Sequence, residues 1–367
     1  MVKLETAAFT LPMALSPSDL ESESLHKNLE KLIAQLPQIE HGKYIQRALA
    51  VLMRLTGEEV DRLDWKILSA TLEDLERGFT TLSPYGHVRK VSIFGSARTP
   101  SDRKVYSMAV EFARQITQQG FMVITGAGDG IMAAGNEGAG REHSFGLNIN
   151  LPFEQGSNEF IRGDDKLISF KYFFTRKLFF LKESDAIALF PGGFGTLDEA
   201  FESLTLYQTG KYGPAPIVLI NEPGSDYWNS LDEHIREHLL KEGLISPDDP
   251  NIYTITDDIN IACKIISDFF RVYHSSRYVD KQFVMRLNSE LSDGSVEFLN
   301  REFSDILVRG HIKKSGVLPG ERGDGTEHLP RLVFDFNQKD AARLSQMIGK
   351  INQLGAFLPE SDHPERK

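Results

Sequence analysis

The stretch SDAIALFPGGFGTLDEAFESL, residues 184–204, decides how the rest of the chain is read. It opens with polar Ser184 and Asp185, and five apolar residues follow, Ala186 to Phe190. A run that short suits a buried strand better than a helix. Pro191, Gly192, Gly193, Phe194, Gly195 and Thr196 then form a Gly-rich turn. After it Leu197, Ala200, Phe201 and Leu204 recur at helical spacing. The pattern is strand, turn, helix. Such a turn aims backbone N–H groups at the space above the helix N-terminus, where the helix dipole also favours an anion. Its glycines let the backbone approach a phosphate closely.

Glu199 stands one turn into that helix and admits two readings. Thr196-Leu-Asp-Glu199 has the form of a capping box, with Thr196 as N-cap and Glu199 reaching back. Glu199 is equally a carboxylate placed beside an anion-binding turn, where it could serve catalysis.

Outward from this stretch the same rhythm repeats. Val91 to Phe94 predicts a short strand ending in Gly95-Ser96-Ala97-Arg98, and Val105 to Gly120 a helix. Phe121 to Ile124 predicts a strand followed by Gly126-Ala-Gly128-Asp-Gly130, then a small-residue helix from Ile131 to Ala139. Phe145 to Leu151 predicts another strand. A polar loop, Pro152 to Lys166, leads to an aromatic-rich helix from Lys171 to Lys182. Ile217 to Ile220 is one more strand, and helical stretches flank Ile252 to Ile255. Strands alternating with helices imply an α/β fold, a doubly wound parallel sheet covered on both faces, over residues 86–275. Ligands of such sheets bind beyond the carboxyl ends of the strands. The turns 95–98, 126–130 and 192–196 all sit there. Their candidate phosphate-binding residues are Gly95, Ser96, Gly126, Gly128, Gly130, Gly192, Gly193, Gly195 and Thr196.

The flanks are simpler. Residues 1–85 read as an N-terminal helical extension after an irregular start. Its stripes are Leu25, Leu29, Leu32, Ile33 and Leu36, then Ile45, Ala48, Leu52 and Leu55, then Leu63, Ile67, Leu72 and Leu75. Residues 276–358 read as a small α+β unit. It holds a helical stretch at Phe298–Leu307, strands at His311–Leu318 and Leu329–Phe336 joined by a Gly-rich loop, and a helix ending near Leu354. The charged tail 359–367 is expected to be disordered.

Composition bounds the function classes. Apolar residues make up 41% and charged residues 25% of 367, a globular balance in two or three units. A net charge of −11 argues against a general nucleic-acid binder. Cys263 is the single cysteine, so no intrachain disulfide forms and a reducing compartment fits. With no long apolar run and no signal-like start, no membrane partner and a cytoplasmic location are expected.

Arg176 lies three residues after Phe173 and four before Phe180, on one helix face. A guanidinium so flanked either seeks a carboxylate or phosphate or snorkels along the surface. Lys177 and Lys182 read as solvated. The string 126–130 is a poor match to the dinucleotide fingerprint, and G-x-x-x-x-G-K-[ST] is absent. No His or Cys spacing suggests a metal site, and Ser96 lacks a G-x-S-x-G context.

PGGFGTLDE at 191–199 resembles the P-G-G-x-G-T-x-x-E signature of the LOG (Lonely Guy), or lysine decarboxylase-like, family. That family includes cytokinin-activating phosphoribohydrolases and bacterial nucleotide 5′-monophosphate nucleosidases. Arg176-Lys177 is similar to its Arg-Lys pair. TGAGDGIM at 125–132 is similar to its T-G-G-G-x-x-G-x-M segment, with Ala127 at the central glycine. LPFEQGSN at 151–158 and QTGK at 208–211 resemble a longer bacterial branch, and the resemblance spans residues 88–272. It implies hydrolysis of the N-glycosidic bond of a nucleoside 5′-monophosphate, AMP-like or a modified adenine nucleotide, to free base and ribose 5-phosphate. By resemblance Arg176 and Glu199 are the catalytic pair, the glycine loop cradles phosphate, no cofactor or metal is needed, and the protein is a homodimer or higher homo-oligomer. The alternative use of the same crevice is a carrier or sensor that binds a nucleotide without turnover. The decarboxylase label needs a Schiff-base lysine, and nothing in the sequence singles one out.

Overall fold

Residues 35–56, 58–150, 156–323 and 325–355 are described in the computed structural model of the chain. The irregular start, the stripe at Leu25–Ile33 and the tail from Pro359 lie outside them, as do residues 151–155. The described residues fall into two compact units that divide between Ser69 and Ala70. The first holds α1 (Gly42–Thr56) and the start of α2 (Arg62–Leu82), where the second and third apolar stripes predict helices.

The second unit is built on seven strands: β1 (Lys90–Phe94), β2 (Met122–Thr125), β3 (Ser144–Ile149), β4 (Leu167–Phe170), β5 (Ala186–Leu189), β6 (Ile217–Ile220) and β7 (Tyr253–Thr256). They pair in the order β4-β3-β2-β1-β5-β6-β7, all in parallel. Helices α3 (Lys104–Gln118), α4 (Ile131–Ala139), α5 (Phe173–Glu183), α6 (Phe194–Gln208), α7 (Tyr227–His234) and α8 (Ile259–Phe269) alternate with them. The doubly wound parallel sheet is therefore present. Its strands are apolar on both faces because both are covered. In β5, Ala186 and Ala188 join the core under α3, α4 and α8, while Ile187 and Leu189 join the core under α5, α6 and α7. The small alanines leave room for helices close on one side, and the larger pair fills the other.

One strand was not foreseen. β4 occupies Leu167–Phe170 between the polar loop and α5. Four residues next to Asp165 and Lys166 give too little pattern to read; pairing with β3 at Leu147–Ile168 makes the strand.

Beyond α8 the chain forms a second, antiparallel sheet of β8 (Tyr273–Val279), β9 (Gln282–Leu287), β10 (Leu307–Ser315) and β11 (Arg331–Phe336), ordered β10-β11-β9-β8. Sequence reading foresaw the last two strands and missed the first two. The foreseen helices sit at α9 (Asp293–Glu302), earlier than Phe298–Leu307, and α10 (Ala341–Gly355). Phe283, Met285 and Leu287 face a core shared with Leu299, Phe334, Met347 and Ile351. The opposite face carries Arg286 of β9, which hides that strand from a period-two reading, and Arg331 of β11. Both are buried, and Glu321 lies between them, fully buried. Arg286 donates Nε and Nη2 to Glu321 Oε1 at 2.9 and 2.7 Å, Arg331 donates Nε to Oε2 at 2.9 Å, and Leu318 N–H donates to Oε2 at 3.2 Å. This cluster pins the chain at Leu318 and Glu321 over the sheet. Asn352 of α10 joins sheet to core: its Oδ1 accepts from the N–H groups of Val272 and Tyr273 at 2.8 and 3.1 Å.

Burial opposes the ionised Glu321, yet the hydrogen bonds from Arg286, Leu318 and Arg331 hold its carboxyl below the ordinary range. Glu321→Ala leaves two buried guanidinium groups without their carboxylate. We expect it to cost about 3–5 kcal/mol, read as a lower midpoint in urea unfolding; a loss under ~1 kcal/mol would show the cluster to be dispensable.

Candidate active site

The chain runs from β1 outward through β2 and β3 to β4, then returns by α5 to place β5 on the other side of β1. The carboxyl ends of β1, β2 and β5 therefore lie side by side, at the point where strand order reverses. The three glycine turns meet there. Ser96 N–H donates to Pro191 O at 3.2 Å, and Ile131 N–H donates to Ser96 O at 3.1 Å. Two glycines are required by this contact. A Cβ on Gly130 (φ +61°) would stand 2.3 Å from Ser96 O, and one on Gly192 would stand 2.1 Å from Thr196 Oγ1 and 3.0 Å from Ser96 N. Gly95 lies against Ile131, Gly126 against Met132 and Arg176, and Gly128 against Met132. Gly193 and Gly195 face open space at the start of α6. Tyr227 of α7 donates its hydroxyl to Gly192 O at 2.6 Å and steadies the turn from behind.

The turn 126–130 has a further support that the sequence did not reveal. Ala127 sits at φ 60°, in the left-handed region, at a cost of about 1–2 kcal/mol for a residue with a Cβ. This is the position where the resembling motif carries glycine. Thr125 Oγ1 accepts from Ala127 N–H at 3.0 Å, and Asn158 N–H donates to Ala127 O at 2.8 Å. Asn158 Nδ2 also donates to Gly128 O at 3.0 Å and to buried Asn136 Oδ1 at 2.9 Å. These bonds hold the conformation.

Helix α6 begins at Phe194 with Gly193 as its N-cap and no side chain capping it. Thr196 and Glu199 thus lie inside the helix, and the capping-box reading is corrected. Glu199 is buried, 6% exposed, on the face toward α5. There it meets Lys177 and Arg176. Lys177 Nζ stands 3.3 Å from Glu199 Oε1, 2.9 Å from Asp198 Oδ2 and 2.5 Å from Glu202 Oε2. Lys177 is therefore not the solvated side chain that its sequence position suggested. Its carboxylate partners come from a helix whose register against α5 is invisible in the sequence; Lys182, half exposed, does face solvent. The Arg176 guanidinium lies 5.6 and 5.3 Å from the ring centres of Phe173 and Phe180, as the helical spacing required. Its Nη2 reaches 3.4 Å from where a Gly126 Cβ would be. Arg176, Glu199 and the glycine turns are thus brought together.

A cavity of about 810 Å³ lies elsewhere, at the amino end of β5, lined by Asp185, Arg89, Tyr212 and Tyr273. Arg89 already pairs with Asp185 at 2.9 Å and stacks on Phe270 at 3.9 Å, so this space marks a seam between the two sheets. Arg176 and Glu199 stand with the glycine turns, toward the other end of the strands. Among the described residues no group of three or more His, Cys, Asp or Glu is placed to hold a metal ion. No helix among them is long and apolar enough to cross a membrane.

Burial raises the Glu199 carboxyl above the ordinary glutamate value, against the lowering pull of Lys177 and Arg176; Glu202 adds a small push upward. Lys177 itself is destabilised by burial, but its bonds to Glu202 and Asp198 and the Glu199 charge hold its pKa above the ordinary lysine value. The Glu199 carboxyl is expected to titrate above the ordinary glutamate range. Lys177→Met removes a cation that favours the ionised form, so the titration should move further up, while Lys177→Arg should leave it near the wild-type position. Carbon-13 NMR of labelled glutamate carboxyls measures both. A Glu199 that titrates no higher in Lys177→Met than in wild type would show that Lys177 does not sustain its charge.

Residues 127–266 match the family described as "Possible lysine decarboxylase". A protein of Oryza sativa subsp. japonica, the probable cytokinin riboside 5′-monophosphate phosphoribohydrolase LOGL3, is 32% identical over 145 residues, which is 38% of this chain and 64% of that protein. The chain thus spans less than two thirds of this relative's length. The Arabidopsis thaliana cytokinin riboside 5′-monophosphate phosphoribohydrolase LOG1 is 25% identical over 184 residues, 49% of this chain and 84% of that protein. Among solved structures, the molybdenum cofactor carrier protein of Chlamydomonas reinhardtii is 18% identical, with a TM-score of 0.34, over 49% of this chain and 96% of that one. Residues 127–266 thus match the lysine decarboxylase-like family, and over that part the chain is similar to the LOG phosphoribohydrolases of rice and Arabidopsis.

Proposed function

We propose that the crevice hydrolyses the N-glycosidic bond of a nucleoside 5′-monophosphate, giving a free base and ribose 5-phosphate. The observation that carries this reading is Glu199: a carboxylate buried beside Arg176 and below the glycine turns, with no capping duty in its own helix. The phosphate rests on the open backbone at Gly193 and Gly195, with Gly192 and Thr196 shaping the turn. Gly95, Ser96, Gly126, Gly128 and Gly130 complete the cradle. Arg176 holds the substrate over Glu199. As the bond from C1′ to the base nitrogen breaks, the ribose becomes oxocarbenium-like, and the Glu199 carboxylate stabilises that charge. Water adds to C1′ and loses a proton, and the departing base gains one. The rice and Arabidopsis relatives are described as acting on cytokinin riboside 5′-monophosphates. That supports this substrate class, an AMP-like or modified adenine nucleotide.

A panel of nucleoside 5′-monophosphates, with released base followed by chromatography, tests the reading. Wild type should release base from at least one. Glu199→Gln keeps the shape and loses the charge, so turnover should fall roughly 10²-fold or more, while the nucleotide still binds. Near-normal release by Glu199→Gln would leave the carboxylate role without an owner. A nucleotide bound and recovered intact by wild type would favour a carrier instead.

The second copy implied by the family resemblance has a face to cover. Phe173, Phe174 and Leu178 of α5 are 52%, 55% and 47% exposed, and Phe194 and Phe201 of α6 are 94% and 41% exposed. So much apolar surface on two adjacent helices is unusual for a monomer, and we propose a homodimer through it. Sedimentation velocity at micromolar concentration should give a dimer. Phe174→Asp combined with Leu178→Asp should shift it to monomer; a monomeric wild type would refute the assignment.

A further inference from the structure

Helix α5 carries Arg176 and Lys177 in its first two turns, yet its own sequence does not cap it. Tyr172 is the N-cap and supplies no side-chain hydrogen bond. Lys171 and Tyr172 would present their N–H groups unsatisfied beside buried Thr175. The missing acceptor comes from α2. Asp74, fully buried, accepts from Lys171 N–H at 3.1 and 3.0 Å, from Tyr172 N–H at 3.2 Å and from Thr175 Oγ1 at 2.6 Å. Arg77, one turn on, donates Nη2 to Asp74 at 2.5 Å and balances its charge. A carboxylate at a helix N-terminus satisfies orphan donors and complements the dipole. Here it does so from another segment of chain, some 97 residues away. The same face of α2 continues into Gly78, where a Cβ would lie 2.1 Å from the Phe179 ring, so the two helices touch along α5.

The structure assigns to Asp74 the role of a positioning residue for the crevice: it fixes the first turn of α5 and so the place of Arg176 against Gly126 and Glu199. Asp74 lies outside the segment that matches the family, residues 127–266. In its own sequence context, between Glu73 and Leu75, it reads as one more solvated helix acid. The assignment rests on the proposed hydrolysis for its catalytic consequence and on hydrogen bonding alone for its structural one, so the two are tested apart.

Asp74→Asn replaces one acceptor oxygen by an NH2 that faces other donors. Ser292→Ala is the control: it removes the Ser292 cap on α9, which accepts from Ser295 N–H at 3.1 Å, in the second sheet. Amide exchange followed by mass spectrometry should show the segment 171–178 opening roughly 10-fold faster or more in Asp74→Asn, and unchanged in Ser292→Ala. Base release should fall about 10-fold or more in Asp74→Asn at a temperature where both variants are folded, as misplacement of a binding group predicts. It should stay within about twofold in Ser292→Ala. Thr175→Val removes one of the bonds and should give a smaller loss of the same kind, which keeps the test available if Asp74→Asn does not fold. Unchanged exchange at 171–178, or faster exchange with wild-type turnover, overturns the assignment. If wild type releases no base from any monophosphate, the hydrolase reading fails by itself. The same variants are then compared for affinity toward ribose 5-phosphate by calorimetry, where weaker binding by Asp74→Asn supports the role and equal binding overturns it.

Discussion

Strand β5 pairs in parallel with β1, and everything that resembles a site follows from this pairing. The chain has already laid β2, β3 and β4 on the other side of β1, so the return reverses the strand order and opens a crevice at the carboxyl ends. Three turns far apart in sequence then touch backbone to backbone, through Ser96 N–H to Pro191 O and Ile131 N–H to Ser96 O. Such contact leaves no space for side chains at Gly130 and Gly192. The glycines are thus a consequence of the strand pairing as much as a device for a ligand.

The electrostatics of the crevice follow from two adjacent helices. α6 brings Asp198, Glu199 and Glu202 to α5, and α5 answers with Arg176 and Lys177. Lys177 alone meets three carboxylates, so the local balance is negative and partly buried. Water is largely excluded from Glu199, which raises the cost of its charge; the two cations lower that cost. A carboxylate held between these opposing effects is sensitive to small displacements of its neighbours, which gives the anchoring of α5 by Asp74 its weight.

The second sheet answers a different demand. One of its faces is covered by α9 and α10, and the loop at Glu321 closes over part of the other, where Val284 and Val333 are buried. A loop with few apolar residues can close over a sheet only if its polar groups are satisfied, and the Arg286–Glu321–Arg331 cluster does that. Asn352, bonded to Val272, Tyr273 and Phe269, and Arg89, which donates Nη2 to His274 O at 2.8 Å, then fasten this sheet to the first.

The sequence by itself determined the parallel α/β core, since short apolar runs such as Ala186 to Phe190, each followed by a helical stripe, have no other economical packing. It also determined that Arg176 lies between Phe173 and Phe180, because that depends only on helix periodicity, and it pointed to Glu199 by nearness to a glycine turn. It could not say whether Glu199 caps its helix: that turned on where α6 begins, and the backbone begins it at Phe194, before Thr196. β4, β8 and β9 were hidden for related reasons. β4 is too short to show a pattern, and β9 buries Arg286, whose partner is Glu321, distant in sequence. Lys177 and Asp74 were read as, or indistinguishable from, solvated charges for one physical reason. A charge is buried only where a partner compensates it, and those partners stand on other helices whose register only the tertiary structure sets.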